Sequence, residues 1–514
     1  MEKKSHSERK IRPLFLVVIS ALIFGMLSLV LFFPKNNKQL TSIEVEYQMY
    51  CGSCHIAPNP AHIPKSIWEN NVLPEMAARM GYRYNDFNPY KYSIEENHYV
   101  RLSNTYPETP MLDSVTWKRL HDYVIGKAPD SVQNVPTRKG RASMLFQFDP
   151  RIMKVNNNTL TGGVINVKID GSTGRIMIGD VFGQIHEWKK SPPVDTAFES
   201  PVVSSVIDQG TLYLTEIGIM GPSEIPKGKL YNAGTDTIAL LLEKLHRPVY
   251  TQILDLNEDG QKEIIVCEFG HHTGELSLFV KKDSTYKKRT LLALPGSIKV
   301  EVLDMDDDGK KDIVALFSQG REGIYVFYQK DNLSFNMEQV IGLSPEHGLS
   351  WFSILDYNKD GHADIVVANG DNADYSNFLK PYHGVRLYLN NGENEFSEKW
   401  FYPINGATRV LADDFDLDGD VDFAVMSFFP DFSDNPEEGF VYLENQDSES
   451  YTFRPYVTQE AMLGNWLVMD KGDLDYDGDI DLLLGNFNLL RDDSFRQEND
   501  HDLLYLENTT IQND

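Results

Sequence analysis

The chain has little cysteine and little positive charge for its size. Three cysteines, Cys51, Cys54 and Cys267, are spread over 514 residues, which is too few for a disulfide framework. Lysine and arginine number 48 against 76 aspartates and glutamates, giving a formal net charge of −28. Because nucleic-acid binding needs a basic surface, this balance excludes nucleic acid as a partner. The length predicts two or three domains.

Familiar catalytic motifs are also missing. The sequence has no G-x-S-x-G, no H-E-x-x-H and no phosphate-cradling glycine loop. The pair His271-His272 suggests a metal site, but adjacent loop histidines are more often solvated. Cys267 lies in an apolar run and is interpreted as a small buried core residue.

Charge is absent from one long stretch near the start of the chain. Pro13–Phe33 follows a basic tail and is about 21 residues long, enough to cross a bilayer as a helix. No small-residue cleavage site and no lipid-accepting cysteine follow it. Residues 1–34 are therefore predicted to be a cytoplasmic tail and an uncleaved, single-pass transmembrane anchor in the cell membrane. The rest would lie in the periplasm or otherwise outside the cytoplasm. A cleaved signal peptide is the alternative.

A compact segment, residues 43–129, contains the sequence Cys51-Gly-Ser-Cys54-His55. C-x-x-C-H is the attachment pattern of one covalent c-type haem, with two thiols for the vinyl groups and His55 as the proximal iron ligand. A thioredoxin-like pair is the alternative, but it does not require the histidine and needs a βαβ context that is absent. The stretch Thr116–Pro129 resembles the C-terminal helix of small class I cytochromes c. A small all-α cytochrome c domain is therefore predicted.

The sixth iron ligand is open between two methionines. Met76 and Met111 are the candidates, because a methionine thioether is usual in electron-transfer cytochromes. Core packing is the alternative for both, and Met76 recurs at helical spacing with apolar neighbours. His62, His98 and His121 are weaker candidates.

A nine-residue acidic loop recurs five times in the second half of the chain. The copies begin at Asp255, Asp304, Asp356, Asp414 and Asp473. Each has carboxylate or amide side chains at positions 1, 3, 5 and 9, an apolar residue at position 2 and glycine at position 6. Alternate side chains turn inward, the glycine takes a sharp turn, and the position-7 carbonyl completes a site for a hard cation. A solvated acidic turn is the alternative for any single copy.

The flanks of these loops decide their type. An EF-hand needs a bidentate glutamate at position 12 and a helix on each side. Position 12 here is Val266, Ala315, Val367, Val425 or Leu484. Short apolar runs flank each loop, so each loop is predicted to join two buried strands.

The spacing of the loops predicts a propeller. Their first aspartates lie 49, 52, 58 and 59 residues apart, and each interval holds four strand-like runs, as in a propeller blade. Two degenerate units, Gly163–Lys189 and Pro201–Ala233, raise the count to seven blades. A strand near Met144–Phe148 is expected to complete the last blade, removing an open sheet edge. Residues 130–142 are interpreted as a linker, and residues 143–514 as the all-β propeller.

The repeat resembles the FG-GAP or VCBS family, whose members form integrin-alpha-like propellers with calcium loops. This resemblance implies up to five bound calcium ions with a structural role. Joined to the haem segment, it resembles exported, membrane-bound cytochromes that carry VCBS repeats. The implied calcium ligands are Asp255, Asn257, Asp259 and Glu263; Asp304, Asp306, Asp308 and Asp312; Asp356, Asn358, Asp360 and Asp364; Asp414, Asp416, Asp418 and Asp422; and Asp473, Asp475, Asp477 and Asp481.

Long loops on the face opposite the acidic loops are the predicted recognition surface, since loops on a rigid scaffold commonly carry binding residues. A redox or ligand protein partner is expected there, with ordinary loop variation as the alternative for any one residue. The residues singled out are Tyr375, Phe378, Lys380, Tyr382, His383, Phe429, Phe432, Arg491 and Arg496, with His347, Trp351, Arg409 and Trp466 at nearby strand starts.

Three functions fit this sequence. The first is an exported, membrane-tethered electron-transfer cytochrome whose propeller docks a partner. The second is a haem-coupled oxidoreductase acting on a small organic substrate, for which no second-cofactor motif is present. The third is a binding or adhesion module with an accessory haem.

Overall fold

Two units make up the described part of this computed structural model. It describes residues 41–83, 87–132, 142–143, 147–155, 162–171, 174–188, 196–234, 237–371, 378–488 and 501–511. Residues up to Glu46 form one unit, and residues from Tyr47 onward form a second, larger unit. Within these ranges no helix has the length and hydrophobicity needed to span a membrane. The predicted anchor, Pro13–Phe33, lies outside the described residues.

Short helices make up the first described part of the chain. They are α1 (Ser42–Cys51), α2 (Lys65–Ile67), α3 (Leu73–Arg79), α4 (Ile94–Leu102) and α5 (Ser114–Lys127), with a 3-10 turn at Pro60–His62 and a π turn at Trp68–Val72. The predicted C-terminal helix is confirmed as α5. Its N-cap is Asp113, whose carboxylate accepts the Val115 and Thr116 N–H groups at 2.9 Å.

Aromatic residues with satisfied polar ends hold these helices together. Trp68 is buried, and its indole N–H donates to the Pro60 carbonyl at 3.0 Å. Tyr47 is also buried; its hydroxyl donates to the Pro58 carbonyl at 2.7 Å, and its ring lies 5.2 Å from that of Tyr123. Apolar area is thereby buried without leaving polar atoms unsatisfied.

Strands occupy the described chain from residue 142 onward. They are β1 (Ala142–Ser143), β2 (Phe148–Met153), β3 (Val164–Asp170), β4 (Arg175–Asp180), β5 (Gln184–Glu187), β6 (Thr196–Ala197), β7 (Val202–Asp208), β8 (Thr211–Glu216), β9 (Gly228–Ala233), β10 (Ile238–Leu245), β11 (Pro248–Leu254), β12 (Glu263–Glu268), β13 (Glu275–Lys282), β14 (Thr285–Leu292), β15 (Ser297–Leu303), β16 (Asp312–Phe317), β17 (Gly323–Gln329), β18 (Phe335–Gly342), β19 (Leu349–Leu355), β20 (Asp364–Asn369), β21 (Gly384–Asn390), β22 (Phe396–Pro403), β23 (Ala407–Asp413), β24 (Asp422–Ser427), β25 (Phe440–Asp447), β26 (Thr452–Val457), β27 (Trp466–Gly472), β28 (Asp481–Asn486) and β29 (Leu503–Asn508).

These strands form a seven-bladed propeller, as predicted. Blades 1 to 6 are the antiparallel sheets β3–β6, β7–β10, β11–β14, β15–β18, β19–β22 and β23–β26, and blade 7 is β27-β28-β29-β2. The first strands of neighbouring blades lie next to one another and surround the axis. Every residue of the second strands β12, β16, β20, β24 and β28 is buried. This burial explains why the runs after the acidic loops are continuously apolar.

An N-terminal strand closes the ring, but not where the sequence placed it. Blade 7 takes its fourth strand from β2, in which Phe148 pairs with Asn508 and Met153 with Leu503. The predicted position, Met144–Phe148, overlaps β2 only at Phe148. That residue is 2% exposed and packs against Phe415 and Tyr442, so it fixes where the strand begins.

Blades 1 and 2 are more complete than their sequences suggested. The predicted units stopped at Lys189 and Ala233, yet β6 and β10 add a fourth strand to each blade. In β10, Ile238 and Leu240 are exposed and the pairing shifts register twice, so the segment lacks the alternation expected of a strand. At the domain boundary, Ala142 of the predicted linker belongs to β1, which pairs in parallel with β26.

Replacing Phe148 with alanine tests the ring closure. We expect Phe148→Ala to lower the free energy of unfolding by about 3–5 kcal/mol, because a buried aromatic side chain is lost between blades 6 and 7. Chemical denaturation followed by tryptophan fluorescence measures this. Asp149→Ala, at the exposed next position, is the control and should cost less than about 1 kcal/mol. Equal effects of the two changes would contradict the assigned closure.

Candidate functional site

The C-x-x-C-H motif lies at the end of helix α1. Cys51 is its last residue, and neither Cys51 nor Cys54 forms a disulfide. A Cβ atom at Gly52 would lie 2.3 Å from the Gln48 carbonyl oxygen, so this turn fits only glycine. The His55 Nδ1 atom lies 2.9 Å from the Ile56 carbonyl oxygen. With Nδ1–H donating there, Nε2 is the ring nitrogen with a lone pair to offer, as in metal-ligating histidines.

The electrostatics of Cys51 differ from those of a reactive redox pair. Burial, and then the neighbouring Cys54, raise the pKa of the Cys51 thiol to about 12. Thioredoxin-like pairs instead need a lowered thiol pKa to form the attacking thiolate. The free thiols and the oriented imidazole fit covalent haem attachment better than disulfide exchange.

The two methionine candidates have different surroundings. Met76 lies on α3 and is half-buried, as the core-packing alternative requires. Met111 is 66% exposed, and its backbone N–H donates to the Met80 carbonyl at 3.0 Å. Core packing therefore does not explain the Met111 side chain.

The helical residues 54–106 contact the propeller along what we call the seam. Next to the motif, Arg321 Nε donates to the Cys54 carbonyl at 2.7 Å, and Ser344 Oγ donates to the Ile56 carbonyl at 3.2 Å. These two bonds flank His55, so propeller side chains fix the backbone of the motif on both sides of the histidine.

Glu346 organises the seam close to the motif. Its Oε1 atom accepts the Asn59 N–H at 3.3 Å and lies 3.1 Å from His62 Nδ1. The His62 ring stacks on Tyr382 with centroids 4.8 Å apart, and the Tyr382 hydroxyl donates to the His62 carbonyl at 3.1 Å. Burial pushes the pKa of Glu346 upward, but hydrogen bonds from His62 and Ser344 outweigh it, and the pKa is lowered. Glu346 is therefore an ionised partner of His62.

A second carboxylate pair joins α4 to blades 2 and 3. Glu96 accepts Ser223 Oγ–H at 2.7 Å and the Glu224 N–H at 2.5 Å. Glu224 in turn accepts the Thr273 hydroxyl at 2.5 Å and the backbone N–H of His272. All of these propeller residues lie in connections between second and third strands.

His271 and His272 are packed into the seam, although the sequence suggested solvated histidines. Arg79 Nη2 lies 3.2 Å from His272 Nδ1, and the Tyr106 hydroxyl lies 3.4 Å from its Nε2. Burial, and then Arg247, lower the pKa of His271 to about 4. Burial, and then His271, lower that of His272 to about 3. Both imidazoles are therefore neutral at pH 7.

The predicted recognition face is thus partly covered by the chain's own helical residues. Of the residues singled out there, Tyr382 contacts His62, while Lys380, His383 and Trp466 are buried. Phe432 is exposed. Phe378 and Phe429 are half-buried, and Tyr375, Arg491 and Arg496 lie outside the described residues. Sequence reasoning had no signal for this covering, because a domain contact leaves no spacing pattern.

Trp351 and Arg409 line the axis instead of the rim. The Arg409 guanidinium carbon lies 3.9 Å from the centroid of the Trp351 ring, and Lys299 Nζ lies 4.5 Å from it. Lys299 also donates to Glu301 Oε1 at 2.6 Å, and Arg409 to the Met469 carbonyl at 2.9 Å. These cation–π contacts bind the first strands of blades 4, 5 and 6 together.

The five acidic loops share one backbone conformation. Position 4 has a positive φ in every loop, at Glu258, Asp307, Lys359, Leu417 and Tyr476, and so does the position-6 glycine. The position-1 carboxylate accepts the N–H of that glycine in each loop, as at Asp414 and Gly419 with 3.0 Å. The left-handed residue at position 4 was not predicted, because no glycine or asparagine marks it.

The carboxylate at position 9 holds the acidic loop to its blade through hydrogen bonds. Asp312 is fully buried; its Oδ2 accepts the position-2 N–H of Met305 at 2.9 Å, and its Oδ1 accepts the Gln329 N–H at the end of β17 at 2.7 Å. The same double acceptance holds Asp364 and Asp481. Asp312, Asp364 and Asp481 therefore each bind their loop to two strands of the blade. Asp422 instead accepts the Asn445 N–H and the Tyr442 hydroxyl, both at 2.7 Å.

Amide side chains connect the loops of neighbouring blades. Gln329 donates to the Leu256 carbonyl at 3.1 Å, Asn394 to the Met305 carbonyl at 2.6 Å and Asn508 to the Phe415 carbonyl at 2.8 Å. Each acceptor is position 2 of the preceding loop. Position 2 is thus both an apolar core residue, as predicted, and an interblade acceptor.

Carboxylates converge in the loops and several of their oxygens lack donors. One oxygen each from Asp304, Asp306 and Asp308 lie within 4.8 Å of one another, and so do those of Asp414, Asp416 and Asp418. In the last loop the converging oxygens come from positions 1, 3 and 9: Asp473, Asp475 and Asp481. Asp414 Oδ1, Asp420 Oδ1 and Asp479 Oδ1 are buried with no donor among the described residues. Burial raises the pKa of Asp422 to about 8 and that of Asp481 to about 7. Crowded, unpaired oxygens of this kind fit a hard cation.

Comparison with protein families places a known repeat on this propeller. The FG-GAP-like repeat matches residues 304–367. The match spans the loops that begin at Asp304 and Asp356, so the chain carries an FG-GAP-like repeat within a seven-bladed propeller.

Comparison with individual proteins adds little. No curated protein matches the chain. The Neurospora crassa Pan2 WD40 domain is 12% identical, covering 71% of this chain and 98% of that one, with a TM-score of 0.41. The N-terminal domain of Nup159 is 11% identical, covering 73% and 98%, with a TM-score of 0.39. Neither likeness is close enough to bear on the function.

Glycine at position 4 should relieve backbone strain. We expect Leu417→Gly to raise the free energy of unfolding relative to Leu417→Ala by about 1 kcal/mol, since only glycine adopts a positive φ without steric cost. The side chain is exposed, so little packing is lost. Paired denaturation curves in the presence of chelator measure the difference. An alanine variant as stable as the glycine variant would contradict the prediction.

Acid should weaken the seam through its buried histidines. Because the pKa values of His271 and His272 are lowered in the folded chain, the unfolded chain takes up protons first below about pH 6.5. Their contribution to stability is full above that pH and is lost as the pH falls towards about 4. Glu346, with its lowered pKa, loses its contribution only below its ordinary value of 4.5.

Thermal unfolding between about pH 7 and pH 5 tests this prediction. The melting temperature should fall more steeply for the wild type than for a His271→Asn/His272→Asn double variant. His98→Asn, on the exposed side of α4, is the control and should keep the wild-type slope. Identical slopes for the wild type and the double variant would contradict the assignment.

Proposed function

We propose that the chain is an exported electron-transfer protein with one covalent c-type haem, seated on a calcium-stabilised propeller. The observation that carries the proposal is the arrangement of Cys51, Cys54 and His55. Two free thiols stand either side of a tight glycine turn, and the adjacent imidazole has its Nδ1 directed at a carbonyl. Haem bound at such a motif supplies a one-electron carrier.

The propeller residues of the seam would position the haem-binding motif. Arg321 and Ser344 hold the carbonyls on either side of His55, so the imidazole is oriented by the scaffold and not by a free loop. Glu346 and Tyr382 hold the following turn through His62. The exposed thioether of Met111 favours it over the half-buried Met76 as the second protein ligand.

The five acidic loops would hold calcium as a structural ion. Side-chain oxygens converge from positions 1, 3 and 5 in the loops at Asp304 and Asp414, and from positions 1, 3 and 9 in the loop at Asp473. The buried position-9 carboxylate ties the loop to its blade, as Asp312 does. Calcium would offset the repulsion between carboxylates that the fold brings together.

Membrane tethering and a docking partner complete the proposal. The segment Pro13–Phe33 would anchor the chain, leaving the haem and propeller outside the cytoplasm. The long-loop face around the exposed side chain of Phe432 would receive a redox or ligand protein.

Two alternative functions can be distinguished from electron transfer by experiment. A haem-coupled oxidoreductase would show haem reduction on addition of a small alcohol or sugar. A binding or adhesion module would keep its biological activity after loss of the haem-attachment cysteines.

Covalent haem content is the direct test. Expressed in a host that attaches c-type haem, the purified chain should stain for haem after denaturing electrophoresis and give a c-type reduced absorption spectrum. Cys51→Ser/Cys54→Ser should abolish both signals, whereas Cys267→Ser, in the propeller core, should keep them. A wild-type chain without covalent haem would overturn the proposal.

The iron ligand can be assigned with the same material. We expect Met111→Ala to remove the methionine-to-iron charge-transfer band and to lower the haem potential, because the thioether ligand raises it. Met76→Ala should leave the band in place. The reverse result would assign Met76 instead.

A further inference from the structure

One propeller side chain that contacts the C-x-x-C-H motif has hydrogen-bond donors to spare. Arg321 lies in the connection between the second and third strands of blade 4, and its Nε–H donates to the Cys54 carbonyl at 2.7 Å. The Arg321 backbone carbonyl in turn accepts the Tyr325 hydroxyl at 3.2 Å, from the third strand of the blade. The side chain that reaches the motif is therefore carried by a backbone that is bonded to its own blade.

The two terminal nitrogen atoms of the Arg321 guanidinium are uncommitted. Among the described residues, neither Nη1 nor Nη2 makes a hydrogen bond or an ion pair, and the side chain is exposed. Acidic residues outnumber basic ones by 76 to 48 in this chain, so a carboxylate partner would have been easy to supply. A guanidinium keeps its charge at any ordinary pH. A full positive charge is thus held next to the motif.

The carboxylates of the same region are bound to other groups. Glu322, the next residue along the chain, is 3% exposed and accepts a backbone N–H from the first strand of blade 5 at 3.0 Å. Glu346 lies 3.1 Å from the His62 ring. The charge of Arg321 is therefore not offset by a hydrogen-bonded carboxylate among the described residues.

The bond from Arg321 also fixes the backbone at the start of His55. The Cys54 carbonyl and the His55 N–H belong to one planar peptide group. A donor that holds the carbonyl therefore sets the orientation of the plane from which the His55 residue begins. Arg321 can act on the imidazole in this way without touching it.

We infer that Arg321 is a positioning residue of the proposed haem site and that it supplies this site with a positive charge from the propeller. The inference rests on the proposed function. A cation held beside the motif favours the iron state of lower positive charge, which is the reduced state, and so raises the haem potential. The propeller is then part of the redox site, in addition to being its support.

Hydrogen exchange of the full chain without haem tests the positioning role. In Arg321→Ala, the peptide that covers residues 51–58 should exchange faster than in the wild type, because the Cys54 carbonyl loses its side-chain donor. Arg454→Ala is the control, since it removes the same charge from an exposed position on the fourth strand of blade 6. Exchange in Arg321→Ala at the wild-type rate would overturn the positioning role.

Redox titration of the haem-loaded chain tests the charge. Arg321→Ala should have a lower midpoint potential than the wild type, and added salt should narrow the difference by screening the exposed charge. Arg321→Lys keeps a cation without the planar fork and should recover most of the potential, whereas Arg454→Ala should keep the wild-type value. Arg321→Gln is titrated alongside, so that one uncharged variant carries the test if the other loads no haem.

The outcomes separate this inference from the proposal beneath it. A wild-type chain without covalent haem overturns the proposed function, and hydrogen exchange still measures the contact with Cys54. An uncharged variant that loads haem and keeps the wild-type potential overturns the role of the charge and leaves the haem in place. A potential as low in Arg321→Lys as in Arg321→Ala also overturns that role, because lost geometry alone would then account for the shift.

Discussion

The buried carboxylate that opens the second strand of a blade after an acidic loop, as Asp312 does, is the interaction on which these blades depend. The Asp312 side chain is wholly buried. One of its oxygens accepts a backbone N–H from its own loop, and the other accepts a backbone N–H at the end of the third strand. Three neighbouring strands of a blade are therefore fixed by one side chain. Amide side chains such as that of Gln329 then connect the loop to the acidic loop of the previous blade.

The side chains of one acidic loop are divided between binding the blade together and lining the surface of the loop. The buried position-9 carboxylate binds the strands of its blade, whereas the side chains at positions 1, 3 and 5 lie nearer the surface. Glu263 marks the difference. It accepts the Leu256 N–H at 3.0 Å, as the aspartates do at their position-2 N–H, but its other oxygen has no donor among the described residues. The longer side chain keeps one connection and loses the other.

Repetition decided how much of the structure could be predicted from the sequence. Five copies of one loop gave the strand order, the blade count and the burial of runs such as Asp364–Asn369, because period and apolar content are both local properties. The fourth strand of blade 2, Ile238–Leu245, was missed because exposed apolar residues and shifted pairing hide its alternation. Trp466 was placed on the rim, yet its indole N–H donates to the Ala461 carbonyl in the core. The sequence around a single aromatic residue does not show whether its side chain packs in the core or binds a partner.

Contacts between distant segments were the least predictable part of the candidate site. His62 and Glu346 are separated by 284 residues, and neither carries a motif. Their contact depends on where the helical residues pack against the propeller. That packing follows from the shapes of the two surfaces, not from the spacing of residues in the sequence. The C-x-x-C-H motif was found from its five residues, whereas its contacts with Arg321 and Ser344 are visible only in the structure.

The closing strand has a consequence for the order of assembly. Gln147, next to β2, and Asn508, at the end of β29, are 361 residues apart, so blade 7 cannot form until almost the whole chain is available. The propeller side of the seam comes from blades 2 to 5, through residues such as Glu224 and Glu346. Those blades need only earlier parts of the chain. In a nascent chain emerging from its N-terminus, the C-x-x-C-H motif therefore meets its propeller contacts before the ring closes, and ring closure is a late and slow step.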